Sequence, residues 1–250
     1  MPDKTTAKVI RCLVMVDSEK AEGIYRDIQS NLPEAEFLMN NSLQCIENLA
    51  DSRYFLTEHG KYATKRVVFF LNFILNTSDL VFLPNLVQLF LWYLDESEVF
   101  YILVDFIKHD AEYLDNEGSC NSTQITYFKQ YFIKKRQIPE LAKAISQYLS
   151  NTEQTCILLS DAIQEMIESL CLSYLSPLYY PFLLQNFVLD KFDAVIKVIV
   201  SLFGCINFKY MVNNEQIKNQ IIEKFNYFRF VELYGKANVE NILQIYNYQG

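Results

Sequence analysis

Residues Asp95 to Phe106 read DESEVFYILVDF, and this stretch decides the fold class that the sequence predicts. An acidic residue followed three positions later by Glu98 is typical of a helix start, because the second carboxylate can accept a hydrogen bond from a free main-chain N–H. The apolar residues behind it recur every three or four positions, which places them on one helical face. They are Val99, Ile102, Leu103 and Phe106. The stretch therefore predicts an amphipathic helix with one buried face.

The same spacing recurs along the rest of the chain, which holds only 6 Gly and 6 Pro. A chain so poor in turn residues favours long helices over a sheet of many strands. We therefore expect an all-α fold of roughly ten helices. The further apolar stripes are Val67, Phe70, Leu71 and Ile74; Leu141, Ile145 and Leu149 behind Pro139; Ile163, Met166, Ile167, Leu170 and Tyr174; Val195 to Phe203; and Ile217, Ile221, Phe225 and Phe228.

Composition excludes several classes of function. The formal net charge is −8 and the positive residues are scattered, so we expect no nucleic-acid binding. The apolar run from Leu80 to Leu94 is shorter than the roughly twenty residues of a membrane-spanning helix, and it contains Pro84. The first residues lack the apolar core of a secretory signal, which favours a cytoplasmic protein.

Cysteines and histidines indicate no metal or redox site. The 6 Cys are spread without a C-x-x-C pair and mostly lie in apolar stretches, so we expect small buried side chains that stay reduced. His59 and His109 have no neighbouring pattern of metal ligands or of catalytic partners. We therefore predict no cofactor and no metal.

Residues Ile24 to Pro33 read IYRDIQSNLP. This segment resembles the I-x-x-D-V-x-R-T-x-P motif of TBC-domain proteins, a helical family of GTPase-activating proteins for Rab-type small GTPases. Ile24, Asp27, Ile28 and Pro33 fall on the family positions, but Ser30 occupies the position of the catalytic arginine finger. Such a finger accelerates GTP hydrolysis by roughly 10³ to 10⁵ through its fixed positive charge. The resemblance therefore implies a TBC-like domain that lacks its first catalytic group.

The family's second catalytic element is Y-x-Q, whose glutamine orients the attacking water. It precedes an apolar helix that ends in acidic residues, and residues 76 to 101 match these surroundings. In one register the tyrosine and glutamine positions hold Phe82 and Pro84, and in the other they hold Asp79 and Val81. Neither Pro84 nor Val81 has a side chain that can hydrogen-bond water. The resemblance thus implies that the glutamine finger is also missing.

The chain is most similar to the degenerate TBC modules of TBC/TLDc proteins. The likeness includes the stretch from Tyr54 to Gly60 and the closing segment from Ile167 to Leu189. It implies an N-terminal tail over residues 1–9, a TBC-like helical domain over residues 10–210 with an internal loop near residues 110–123, and a C-terminal helical extension over residues 211–250.

Candidate binding residues follow from the same resemblance. Asp27 matches a carboxylate that pairs or caps near the finger loop, and this structural role is favoured over the alternative of a solvated pair with Arg26. Related modules bind phosphoinositide headgroups in a cationic pocket, which would draw on Lys65, Arg66 and the cluster of Lys134, Lys135 and Arg136. The alternative for these cations is an exposed helix end where positive charge is favourable.

Three hypotheses about function follow. The first is a catalytically inactive TBC-like domain that acts as an adaptor and binds protein partners, among them a Rab-type small GTPase. The second is a structural subunit of a large cytoskeletal or ciliary assembly. The third is an active GTPase-activating protein whose finger comes from another position, such as Arg26 or Arg53.

Overall fold

The computed structural model describes residues 4–32, 57–75, 80–114, 138–148, 156–206 and 214–237. Every regular element in these ranges is helical, which confirms the all-α prediction. The α-helices are α1 Lys4–Leu13, α2 Ser18–Asn31, α3 Glu58–Leu75, α4 Leu83–Leu91, α5 Glu96–Leu114, α6 Ile138–Tyr148, α7 Cys156–Glu168, α8 Tyr180–Asp190, α9 Phe192–Phe203, α10 Asn214–Lys224 and α11 Tyr227–Lys236, with a 3-10 turn at Pro177–Tyr179 before α8.

The chain divides into two compact units, unit 1 from Met1 to Phe128 and unit 2 from Lys129 to Gly250. In unit 1, α2 packs on α5, α3 packs on α4 and α5, and α4 packs on α5. Fully buried aromatic rings fill the space between these helices. They include Phe69, Phe82, Phe90 and Phe100.

Unit 2 is built around α9, whose residues are all buried except Asp193 and Lys197. A helix that is apolar around most of its circumference belongs in the middle of a bundle. Accordingly α9 packs on α7, α8 and α11, while α7 also packs on α6 and α10. Phe187 of α8 lies against Phe192 with 5.5 Å between ring centroids, which closes the junction of the two helices.

Local signals in the sequence fix several helix starts. Asp17 caps α2 by accepting a hydrogen bond from the main-chain N–H of Lys20 at 3.1 Å. Asn226 caps α11 in the same way, accepting from the N–H of Arg229 at 3.1 Å. Pro139 lies in the first turn of α6, where its missing N–H costs nothing.

Some predicted boundaries differ from the structure. Residues 4–9, predicted as part of a tail, belong to α1, because Thr6, Ala7 and Ile10 give that helix a buried face. Residues 110–114 of the predicted loop continue α5, and residues 115–123 lie outside the described ranges.

Two predicted apolar stripes are interrupted in the structure. Helix α7 ends at Glu168, so Leu170 and Tyr174 are buried from the turns that follow it. The stripe from Ile217 to Phe228 is divided between α10 and α11, because the Asn226 cap starts a new helix.

Candidate functional site

The acidic start of α5 is the centre of the candidate site. Asp95 precedes the helix, and its main-chain N–H donates to Oε2 of Glu98 at 3.1 Å. This is half of the capping box that the sequence predicts. The carboxylates of Glu96 and Glu98 also accept hydrogen bonds from side chains of α1, α2 and α3. We call these two carboxylates and their side-chain partners the Glu96–Glu98 cluster.

Glu98 is the buried member of this cluster, with 2% of its side chain exposed. Arg11 of α1 donates to it twice, from Nε at 2.7 Å and from Nη2 at 2.8 Å. Ser18, the first residue of α2, donates its hydroxyl to Oε1 at 2.5 Å. A buried carboxylate is tolerated when its lone pairs are satisfied in this way. Glu98 therefore connects α1 and α2 to the start of α5 through hydrogen bonds.

Electrostatics at Glu98 favour the charged form. Burial by itself acts to raise the pKa of the carboxyl, but the hydrogen bonds from Arg11, Ser18 and the Asp95 main chain outweigh it and hold the pKa below its ordinary value. The hydrogen bond to Glu98 likewise raises the pKa of Arg11, with Asp95 adding a smaller attraction at 3.7 Å.

Glu96 joins α2 and α3 to α5. Its Oε1 accepts hydrogen bonds from the hydroxyl of Tyr25 and from Nε of Arg66, and its Oε2 accepts from Nη2 of Arg66. Burial and the hydrogen bond to Glu96 both raise the pKa of Tyr25, so this phenol stays protonated at neutral pH. Glu96 also raises the pKa of Arg66, which keeps its charge.

The ring of Tyr25 packs against two phenylalanine rings of unit 1. Its ring lies 5.4 Å from Phe70 of α3 and 5.5 Å from Phe100 of α5, measured between centroids. Phe70 and Phe100 contact each other edge to face at 6.3 Å. Such aromatic contacts stabilise the packed position of the ring, in addition to the free energy gained by burying its surface. Tyr25 therefore places α2 at a defined position on unit 1.

The predicted finger position lies on the surface of the same helix. Ser30 is exposed in the last turn of α2, and its hydroxyl donates to the main-chain carbonyl of Asp27 at 2.9 Å. Asn31 donates to the same carbonyl at 2.7 Å. Asp27 is exposed, and these contacts use its main chain and not its carboxylate. Pro33, the last motif position, lies outside the described ranges.

The residues at the predicted tyrosine and glutamine positions of the second catalytic element differ sharply in burial. Phe82 is fully buried and Pro84 is buried in the first turn of α4. Val81, which fills the glutamine position in the other register, is 44% exposed, and Asp79 lies outside the described ranges. Only in that second register does the glutamine position reach the surface.

The residues that were predicted to form a cationic pocket differ in their exposure and in their contacts. Arg66 is 25% exposed and donates to Glu96, and its guanidinium also lies 5.2 Å from the ring centroid of Tyr62. A phosphate headgroup would have to displace Glu96 from it, so this contact stays a prediction. Lys65 is half-buried on α3. Lys134, Lys135 and Arg136 lie outside the described ranges.

The Glu96–Glu98 cluster was not predicted from the sequence. Glu98 was expected only as a cap, and Tyr25 only as a neighbour of Ile24 in the motif. Arg11 and Glu98 are 87 positions apart in the chain, and no local pattern connects them. The signal that could have found the cluster is the density of carboxylates at the start of α5, since buried acids need cationic partners.

Within the described ranges, no three His, Cys, Asp or Glu side chains come together as metal ligands, and no helix is long and apolar enough to cross a membrane. Comparison with family models, with curated proteins and with solved structures gave no match.

Proposed function

We propose that the chain is a catalytically inactive, TBC-like binding module that presents the exposed face of α2 to a protein partner. The observation that carries this proposal is Ser30, an uncharged and solvent-exposed side chain at the position where the resembled family has its arginine finger. A serine at this point can bind a partner through its hydroxyl, but it cannot neutralise the charge that develops on a transferring phosphoryl group.

Two further observations elsewhere in the chain support the absence of catalysis. The guanidinium of Arg66 is engaged by Glu96, so it is not free to replace the finger. In either register the glutamine position holds a residue without a polar side chain, Pro84 or Val81. A water could not be oriented from either residue through a side-chain hydrogen bond.

The exposure and the fixed position of α2 support the binding of a protein partner. Only Ala21 and Tyr25 of this helix are buried, so most of its surface faces solvent. The helix is nevertheless held in place, because Ser18 and Tyr25 donate to Glu98 and Glu96. A rigid helix with a free polar face loses little entropy when a partner binds. The partners expected are a Rab-type small GTPase or, alternatively, a neighbouring subunit in a large cytoskeletal or ciliary assembly.

Single-turnover GTP hydrolysis with a panel of Rab-type GTPases tests the catalytic part. We expect no acceleration by the full chain, because an uncharged finger position forgoes about 10³ to 10⁵ of rate. An acceleration of about a hundredfold would overturn the proposal. If that occurred, Arg26→Ala would test the exposed arginine of α2, which forms an ion pair with Glu22 one turn away.

Affinity purification from the native source, followed by mass spectrometry, tests the binding part. We expect Asp27→Lys to lose partners that the wild type recovers, since Asp27 lies on the exposed face of α2. Glu215→Lys makes a matched charge reversal on exposed α10 and should recover them all. Equal recovery by both variants would exclude the α2 face. Recovery of a complete large assembly at high salt, without any GTPase, would favour the structural-subunit alternative.

A further inference from the structure

A second surface of interest is the exposed face of α1 in unit 1. Two rows of side chains run along it, each with a spacing of one helical turn. Lys4 and Lys8 form the first row, and Val9 and Leu13, which are 39% and 38% exposed, form the second. Met15 follows shortly after the helix and is 89% exposed. We call these five residues the α1 face.

Three features of the α1 face oppose the stability of the helix. Lys4 places a positive charge in the first turn, which holds no acidic residue and where the helix dipole disfavours a cation. Lys4 and Lys8 repel each other, because side chains four positions apart are neighbours on a helix. Met15 has φ 49°, and the N–H of Val16 donates to the carbonyl of Arg11 at 3.2 Å, an arrangement in which glycine is the usual residue. Departures from local preference that gather on one surface indicate a functional role for it.

The charge of the α1 face indicates the kind of partner. Residues 4 to 16 include three cations and no acidic residue, although the chain as a whole has a formal net charge of −8. Arg11 is engaged by Glu98 at 2.7 Å and by Asp95 at 3.7 Å. Lys4 and Lys8 are exposed and have no ion-pair partner among the described residues. Two free positive charges beside an apolar row favour a partner that carries carboxylates next to apolar side chains.

A protein partner fits the α1 face better than a lipid bilayer does. Recruitment to anionic membranes uses clusters of about four to eight basic side chains, and helices on the membrane surface commonly insert tryptophan or phenylalanine. The α1 face has two free lysines, and the first aromatic residue of the chain is Tyr25. Methionine, by contrast, adapts to irregular apolar surfaces and is enriched at protein interfaces. Apolar residues one turn apart, such as Val9 and Leu13, are what a second helix packs against.

We propose that the α1 face binds an acidic amphipathic helix of a partner protein. Carboxylates one turn apart on that helix pair with Lys4 and Lys8, which removes the repulsion between the two lysines. The apolar side chains of the partner helix cover Val9, Leu13 and Met15. This proposal is independent of the one for α2.

Fluorescence anisotropy of the full chain with designed helical peptides of about 15 residues tests the proposal. The acidic peptide carries two glutamates one turn apart beside a row of leucines, and the basic peptide has lysines in place of the glutamates. We expect the acidic peptide to bind about tenfold more tightly than the basic one at low salt, because only its charges are opposite to those of Lys4 and Lys8. The double variant Lys4→Glu with Lys8→Glu should reverse this preference.

Two control variants separate binding by the α1 face from net charge and from folding. Lys143→Glu with Lys224→Glu changes the net charge by the same amount at two exposed lysines of unit 2 and should keep the preference for the acidic peptide. Met15→Gly should bind the acidic peptide about tenfold more weakly, because it removes the most exposed apolar side chain of the α1 face. Its urea midpoint should stay equal or rise, because glycine suits a positive φ.

Several outcomes would overturn the proposal. One is that the wild type binds the acidic peptide no more tightly than the basic peptide. Another is that charge reversal in unit 2 changes the preference as much as charge reversal on α1. The proposal also fails if the peptides do not bind and Met15→Gly instead abolishes binding to phosphatidylserine vesicles or concentration-dependent self-association, because the α1 face would then contact a bilayer or a second copy of the chain.

Discussion

At the scale of single residues, Glu98 joins the start of α5 to α1 and α2, because its buried carboxylate accepts hydrogen bonds from Arg11 and Ser18. Glu98→Gln keeps its shape but removes the charge opposite Arg11. We expect a loss of about 2 kcal/mol in the free energy of unfolding, because Arg11 would face a neutral partner at a partly buried site. Urea denaturation at neutral pH measures this loss through the midpoint. Glu22→Gln is the matched control, since it breaks an exposed pair with Arg26 and should cost only a few tenths of a kcal/mol.

The lowered pKa of Glu98 predicts how stability depends on pH. A carboxyl whose pKa is lower in the folded than in the unfolded chain stabilises the fold fully above its unfolded pKa. That contribution is lost as the pH falls below the ordinary value of 4.5 and through the lower folded value. The gap in stability between wild type and Glu98→Gln should therefore narrow on acidification in this range. If the difference in the free energy of unfolding between the two proteins stayed constant down to the pH of acid denaturation, the lowered pKa of Glu98 would be contradicted.

Lys191 is a residue under backbone strain. It lies between α8 and α9 with φ 58° and ψ −136°, a conformation that glycine adopts far more readily than other residues. We expect Lys191→Gly to raise the free energy of unfolding by about 1 kcal/mol, because it relieves a strain of this order. Lys191→Ala retains the Cβ atom and should bring no such gain. Thermal denaturation followed by circular dichroism would compare the two, and equal midpoints would show that the strain is negligible.

At the scale of elements, periodicity predicted where helices form better than which neighbours they contact. All four stripe residues of α5 are buried, as expected. In α3, Val67, Phe70 and Leu71 are buried, as predicted, but Ile74 is 42% exposed. The Glu96–Glu98 cluster joins side chains from four helices, α1, α2, α3 and α5, and such pairing depends on the packed fold and not on local sequence.

Helix α2 contains a glycine that lowers its stability, although a larger side chain would fit at the same position. Gly23 is exposed in the helix interior, and a Cβ atom added there would contact nothing within 4 Å. Gly23→Ala should therefore stabilise the protein by about 0.5 to 1 kcal/mol, since glycine loses more backbone entropy in a helix than alanine. Gly23→Ser should give a smaller gain. If both variants matched the wild type in urea denaturation, helix propensity at this position would not limit stability.

At the scale of the whole molecule, free thiols allow the burial of one site in each unit to be compared, Cys12 in unit 1 and Cys171 in unit 2. Cys12 in unit 1 is exposed, contrary to the expectation that the cysteines are buried, because it lies on the solvent side of α1. Cys171 in unit 2 is fully buried, as expected, and burial raises the pKa of its thiol. The thiolate is the reactive form, so exposure favours reaction at Cys12, whereas burial and the raised pKa protect Cys171.

Alkylation of the native chain with iodoacetamide should therefore modify Cys12 readily and leave Cys171 protected by about a hundredfold or more. Mass spectrometry of the derived peptides measures each site separately, so the remaining cysteines do not interfere. In urea above the unfolding midpoint the two rates should converge, because both thiols then have solvent exposure and an ordinary pKa. Native labelling of Cys171 at the rate of Cys12 would mean that the turns after α7, where Cys171 is buried, open frequently in the folded chain.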